Sequence, residues 1–247
     1  MYFWDPVIGC SPLSEGCRIC SSANHVGKAA YAGLEGYIGL TRRDSNKEYH
    51  FNGTVRLQPE KFEEIRHLRK EEQIFVCGRS DLFHPKVPYE YVDKIIACAD
   101  ERSDCTFFAI TKRTDRMASY DQQRNIPYPS NFWFGITVEN QDRLARMHDV
   151  KNVDVIKILS IKPMLGPVDI TQFIKDVDMV IVGGETGRSA KPMKLGWVRV
   201  VRDCCLKHSV PFSFHGWGAH NPDGSRRKNR IPDMELDGHT WNQFPDI

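Results

Sequence analysis

Short β-branched and aromatic runs alternate with charged segments of helical period along most of the chain. Apolar runs at 54–57, 74–77, 106–110, 132–138, 155–159, 179–182 and 211–214 predict strands, and a short strand near 2–8 precedes them. Between them, 23–34, 59–69, 89–100, 115–122, 140–148 and 197–208 predict helices. Apolar runs without alternation suit strands covered on both faces, as in a parallel sheet flanked by helices. Up to eight strands in this rhythm predict an α/β fold, a complete or partial parallel β/α-barrel of the TIM-barrel kind. An open doubly wound sheet is the alternative. Residues 32–52, rich in glycine and charge, predict a loop. After Gly216 come Asn221-Pro222-Asp223-Gly224 and the basic run Arg226-Arg227-Lys228-Asn229-Arg230. These turn signals predict a tail, 216–247, that wraps a single domain spanning 1–247.

Polar residues gather where the predicted strands end. The first strand runs into Cys10, and later ones into Arg79-Ser80-Asp81 with His84, Thr111-Lys112-Arg113 and Glu139-Asn140. The last three run into Ser160-Ile161-Lys162-Pro163, Gly183-Gly184-Glu185 and His215-Gly216-Trp217. In a parallel β/α-barrel such positions share one rim, where active sites are built. Each residue alone is equally well a helix cap or a surface charge.

Composition narrows the class. A chain of 247 residues with 40% hydrophobic and 27% charged residues can bury a core without disulfide staples. A net charge of +2 neither demands nor excludes nucleic acid. The opening Met1-Tyr2-Phe3-Trp4-Asp5-Pro6 lacks a basic segment followed by a long apolar one, and no apolar run is long enough to span a membrane. The expectation is a cytoplasmic protein with reduced thiols and no membrane partner. Cys77, Cys98, Cys105, Cys204 and Cys205 are scattered and read as inert thiols.

Cys10, Cys17 and Cys20 are different, spaced Cys-x6-Cys-x2-Cys around a loop of Gly9, Ser11, Pro12, Ser14 and Gly16. Three thiolates suit a four-iron cluster with one iron left open. A structural zinc site takes four protein ligands, and His25 would supply the fourth. Both readings stand at this point, beside the bland one of cysteines that bind nothing. Further along, the apolar run 179–182 opens into Gly183-Gly184-Glu185-Thr186-Gly187. A dinucleotide fingerprint needs Gly-x-Gly-x-x-Gly and a following helix, and neither is here. A turn with a solvated glutamate is the competing reading.

These motifs carry a resemblance. Trp4-Asp5-Pro6-Val7 with Gly9-Cys10, Cys17 and Cys20 resembles the opening of a phage-associated family whose domain has no assigned function. Ser80-Asp81-Leu82-Phe83-His84, Thr111-Lys112-Arg113 with Arg116-Met117, and Phe134-Gly135-Ile136-Thr137-Val138-Glu139 follow in order. Leu165-Gly166-Pro167-Val168-Asp169, Val180-Ile181-Val182-Gly183-Gly184-Glu185-Thr186-Gly187 and Ala190 with Pro192-Met193 come next, and Trp217-Gly218 and Asp237-Gly238 with Thr240-Trp241 close the set. The family resembles a divergent branch of the radical S-adenosylmethionine (SAM) enzymes. The chain departs from its pattern at Ser21-Ser22, Lys162-Pro163 and His215-Gly216.

The resemblance implies a [4Fe-4S] cluster on Cys10, Cys17 and Cys20, SAM as cofactor, an external electron donor and a 5′-deoxyadenosyl radical. It implies modification of nucleic acid, with DNA or a modified nucleotide as substrate, in the host cytoplasm if the chain is phage-encoded. The sharpest form is an isomerase that moves a glycine on the thymine methyl carbon from nitrogen linkage to α-carbon linkage. A DNA-repair lyase and a non-catalytic metal-stabilised binding module are the alternatives. Under this implication Ser80, Asp81, Thr137, Glu139, Gly183, Gly184 and Glu185 are the expected SAM-binding residues. Lys112, Arg113, Lys162 and Trp217 are expected to bind substrate, and Lys162, Glu139 and His215 to serve catalysis. Arg226, Arg227, Lys228 and Arg230 are candidate phosphate contacts, with a solvated charge run as the alternative.

Overall fold

The computed structural model describes residues 1–228 and 234–245, which fall into two compact units, Met1–Gly135 with Asn152–Ile156 and Ile136–Lys151 with Lys157–Ile247.

The first unit opens with β1 (Tyr2–Trp4) and β2 (Val7–Ile8). Asp5-Pro6 splits the single strand expected near 2–8, because proline has no N–H to give a ladder. Helix α1 (Ser21–Tyr31) follows, then the antiparallel hairpin of β3 (Thr41–Arg43) and β4 (Tyr49–Phe51). This hairpin replaces the loop expected over 32–52. Asp44 closes it, its side chain accepting Glu48 N–H at 2.9 Å. Ile8, Ala23, Val26, Leu40 and Phe51 form a small core there, with Cys10, Cys20 and Tyr37 packed against it. Gly27 of α1 lies on the Tyr49 ring so closely that a Cβ would come within 2.1 Å of it.

β5 (Arg56–Leu57) is a second correction: the expected strand at 54–57 pairs antiparallel with β2 and stays out of the main sheet. Its residues are exposed, so it lacks the covered faces a parallel strand needs. The short α2 (Phe62–Arg66) leads to β6 (Gln73–Val76), α3 (Tyr89–Glu101), β7 (Thr106–Thr111), α4 (Thr114–Gln123) and β8 (Phe132–Thr137). In α3 the buried Val92, Ile95, Ile96 and Ala99 make one helical stripe. β1 pairs parallel with β6, and β6 with β7, over a core that includes Trp4, Phe83 and Phe107.

The second unit contains α5 (Arg146–Asp149), β9 (Lys157–Ile161), β10 (Met179–Val182), α6 (Leu195–Lys207), β11 (Phe212–Phe214) and the hairpin of β12 (Glu235–Leu236) and β13 (His239–Thr240). β10 is buried throughout and pairs parallel with β9 and β11. The tail seals the outer edge of β11: Phe214 N–H donates to Trp241 C=O at 2.9 Å and Ser213 bridges Asn242.

The hydrogen-bonded order of the seven-stranded sheet is β1-β6-β7-β8-β9-β10-β11, which follows the chain order. A doubly wound sheet reverses its order at a switch point, and this one does not. Among the described residues this parallel order is consistent with a partial β/α-barrel. Among the described residues no helix is long and apolar enough to cross a membrane.

Candidate functional site

The cysteine loop of the first unit leaves β2 through Gly9, whose φ is +86°. A Cβ there would sit 2.2 Å from Thr54 O, so only glycine passes this point. Gly9 N–H donates to Arg79 C=O at 3.1 Å, and Ser80 Oγ donates back to Gly9 C=O at 2.7 Å. The loop is thereby tied to the segment after β6. Cys20 then caps α1, its sulfur accepting Ala23 N–H at 3.5 Å at the positive end of the helix.

All three loop cysteines are reduced and half-buried. Each sulfur has a polar neighbour. Arg113 Nη1 donates to Cys10 Sγ at 3.7 Å, and Ser14 Oγ lies 3.9 Å from Cys17 Sγ. Burial, reinforced by Asp81, pushes the Cys10 thiol up to about 12, partly opposed by Arg113. Burial raises the buried Cys98 and Cys205 thiols to about 12 as well.

Arg113 and Asp81 organise this region. They form a buried ion pair at 2.7 Å. Asp81 Oδ1 also accepts Thr111 Oγ1–H at 2.7 Å and Phe83 N–H at 3.0 Å. Arg113 Nη2 donates to Ser11 C=O at 2.8 Å and to Ser11 Oγ at 3.1 Å. His84 completes the network, its Nε2 lying 2.9 Å from Ser11 Oγ. Lys86 N–H donates to His84 Nδ1 at 3.1 Å, so the neutral ring carries its proton on Nε2 and donates to Ser11. Burial, aided by the Arg113 charge, lowers the His84 pKa to about 4 and keeps the ring neutral. Two residues expected to hold ligands are thus joined to each other. Their spacing alone gave no signal of that pairing, nor of Ser11 as the partner shared by Arg113 and His84. Lys112 is half-buried beside them, its backbone N–H 3.5 Å from Asp81 Oδ2.

The second unit gathers a second set. Lys162, Gly183 and His215 follow β9, β10 and β11 directly. The Lys162 ammonium donates to His215 Nδ1 at 3.1 Å. Solvent reaches Lys162, yet the surrounding protein lowers its pKa. Burial and the neighbouring ammonium lower the His215 pKa to about 4.

Gly184 and Gly218 interlock. A Cβ on Gly184 would stand 2.2 Å from Trp217 O, and one on Gly218 2.2 Å from Glu185 O. Glu185 is buried and its Oε2 accepts Lys191 N–H at 2.8 Å. Trp217 is buried too, its indole N–H donating to Glu235 C=O at 3.0 Å. Glu139 is buried in an ion pair with Arg146 at 2.7 Å, and Arg146 also bonds Thr137 C=O at 2.6 Å. Arg146 carried no sequence signal beyond its place on a predicted helix. Arg226 Nη2 donates to Gly187 C=O at 2.9 Å, while Arg230 lies outside the described residues.

Zinc and a four-iron cluster make different demands on such donors. A tetrahedral zinc with bonds of about 2.3 Å needs its sulfurs about 3.8 Å apart. Among the described residues no three His, Cys, Asp or Glu side chains gather as a single ion requires, and His25 is exposed on α1. A four-iron cluster spreads three thiolates over three irons and makes no such demand. The polar neighbours at the sulfurs are of the kind that tunes cluster thiolates. Cys10, Cys17 and Cys20 are the candidate metal ligands of the first unit. The other cysteines differ: Cys77, Cys98, Cys105 and Cys205 are buried, and Cys204 is half-buried.

The sequence model of the family described as "Protein of unknown function (DUF5131)" matches residues 2–245. No curated protein and no solved structure matches the chain.

Proposed function

The chain belongs to that family, and from this premise we propose that it is a radical SAM enzyme that modifies nucleic acid. One observation supports the reading above the rest. Cys10, Cys17 and Cys20 are three free, half-buried cysteines on one anchored loop, each sulfur beside a polar group. When bound, a four-iron cluster with SAM supplies one-electron cleavage of the sulfonium and hydrogen abstraction from a substrate carbon.

The chain's own residues hold and shield. The three cysteines would ligate iron. Gly9 sets the entry of the loop, and the bonds with Arg79 and Ser80 fix it. Arg113, held by Asp81, presents one N–H to Cys10 and two to Ser11. These contacts keep the loop ordered and place partial positive charge beside one thiolate. The expected SAM contacts at Ser80, Asp81, Thr137, Glu139, Gly183, Gly184 and Glu185 belong to this proposal. So do an external electron donor and a DNA or modified-nucleotide substrate. Its finest form, isomerisation of glycine-modified thymidine from nitrogen to α-carbon linkage, rests on the family resemblance.

The test is metal analysis of protein purified without oxygen, with visible spectra before and after dithionite and SAM. The expected result is about four irons with acid-labile sulfide and a cluster signal altered by SAM. One zinc without iron, and no response to SAM, would make the cysteines a structural clip and overturn the reading.

A further inference from the structure

The strand ends of the second unit carry a feature the cluster chemistry does not use. β9, β10 and β11 run parallel with Val182 opposite both Ile161 and Phe214. The next residue on each strand is therefore Lys162, Gly183 or His215, side by side. The central one has no side chain. The methylene stem of Lys162 comes within 3.2 Å, and His215 Cβ within 3.4 Å, of the place a Gly183 Cβ would occupy. The outer two side chains meet across the glycine at 3.1 Å.

The hydrogen-bond count at this meeting is restrictive. An ammonium has only N–H to give, so His215 Nδ1 accepts, and the neutral ring keeps its proton on Nε2. One N–H of Lys162 is spent and two remain. Solvent reaches them, and among the described residues no carboxylate pairs with Lys162. A lysine so placed is a point charge lacking its counter-ion.

We propose that Lys162 binds the carboxylate of a small ligand, with His215 as the positioning residue that aims its ammonium. The charge and the backbone select the ligand class. With His215 neutral the pair carries one positive charge, which matches a monoanion. Phosphate sites add a cradle of backbone N–H groups or an arginine fork. Here Gly183 N–H donates to Ile161 C=O at 3.1 Å, Gly184 N–H to Gly216 C=O at 2.9 Å and His215 N–H to Val182 C=O at 2.8 Å. Those amides are committed, so a carboxylate on a single ammonium is the better match. The lowered pKa of Lys162 agrees, since a bound carboxylate offsets the desolvation that lowers it. This assignment deepens the proposed function by naming a substrate group, but it stands without the cluster.

The experiment follows the lysine directly. The full-length protein is labelled with 13C at the lysine ε-carbons, and Lys162→Met identifies the Lys162 resonance, with Lys162→Arg in reserve should the first variant not fold. Acetate and inorganic phosphate are titrated separately at pH 7.5 and constant ionic strength. Acetate should shift the Lys162 signal saturably, with phosphate binding roughly fivefold more weakly because a lone ammonium offers it no cradle. His215→Phe should weaken acetate about three- to tenfold with Lys162 still present, the loss expected for one hydrogen bond. No saturable shift with either anion would overturn the site, and tighter phosphate binding would overturn the carboxylate assignment. Unchanged acetate affinity in His215→Phe would overturn the aiming role. The readout needs neither iron nor SAM, so failure here is distinguishable from failure of the cluster reading.

Discussion

Replacing Arg113 with methionine leaves Asp81 buried without its charge partner, because the two side chains are only 7% and 6% exposed. Breaking a buried pair from one side costs about 3–5 kcal/mol. Asp81 would retain Thr111 Oγ1 at 2.7 Å and Phe83 N–H at 3.0 Å, which favours the lower end. Loss of the bonds to Ser11 C=O and Oγ adds about 1 kcal/mol net and brings the expectation to about 4 kcal/mol. For a chain of this size that is a fall in melting temperature of roughly 8–16 °C. Asp81→Leu should cost about 3 kcal/mol by stranding the guanidinium. The double variant removes both charges, so its cost should fall short of the sum by about 3 kcal/mol. Thermal and urea unfolding of the four proteins measures this coupling. If the single effects add to within about 0.5 kcal/mol, Arg113 and Asp81 are not interdependent and the account of this network is refuted.

Single Cys10→Ala, Cys17→Ala and Cys20→Ala variants should each lose the cluster, whereas Cys98→Ala, altering a buried thiol on α3, should keep it; equal iron in all four would sink the ligand assignment. Gly184→Ala places a Cβ 2.2 Å from Trp217 O and should destabilise strongly, while Gly196→Ala meets nothing within 4 Å and should be neutral or stabilise α6 by about 0.5–1 kcal/mol, as denaturant midpoints will show. Acid should destabilise the fold through His84 and His215. Their folded pKa values of about 4 lie below the usual 6.5, so between those values the unfolded chain binds more protons. Stability therefore rises with pH through this window, by up to about 3 kcal/mol for buried His84 and less for half-buried His215. Urea unfolding at pH 7.5 and 4.5 should show a smaller acid loss in His84→Gln than in the parent, and an equal loss would reject the assignment.

The parallel strands were legible because their apolar runs are uninterrupted: every residue of β8 and β10 is buried. β3 and β4 were not, since three-residue strands carrying Arg42, Arg43 and His50 show no usable period. Cysteine spacing announced the loop, because thiols at short intervals are a local pattern. The partners of Asp81 and Glu139 were hidden for the opposite reason. Asp81 meets Arg113 from the end of a different strand, and Glu139 meets Arg146 across a 3-10 turn. In sequence each looks like a spare charge, and only folding shows which charges neutralise one another. The partner of Trp217, expected to bind substrate, was hidden in the same way: its indole N–H donates to Glu235 C=O, 18 residues further along the chain. Lys162 and His215 were legible as strand-end residues, but their meeting depends on the register of β9, β10 and β11.

The edge of β11 has a consequence in time. Its outer backbone groups are satisfied by 241–243, roughly 27 residues further along the chain, which a ribosome takes about 1–5 s to add. Closing that edge therefore waits for residues 241–243 to be made, and a chain cut short before 241 would leave the outer hydrogen-bonding groups of β11 open to a neighbour.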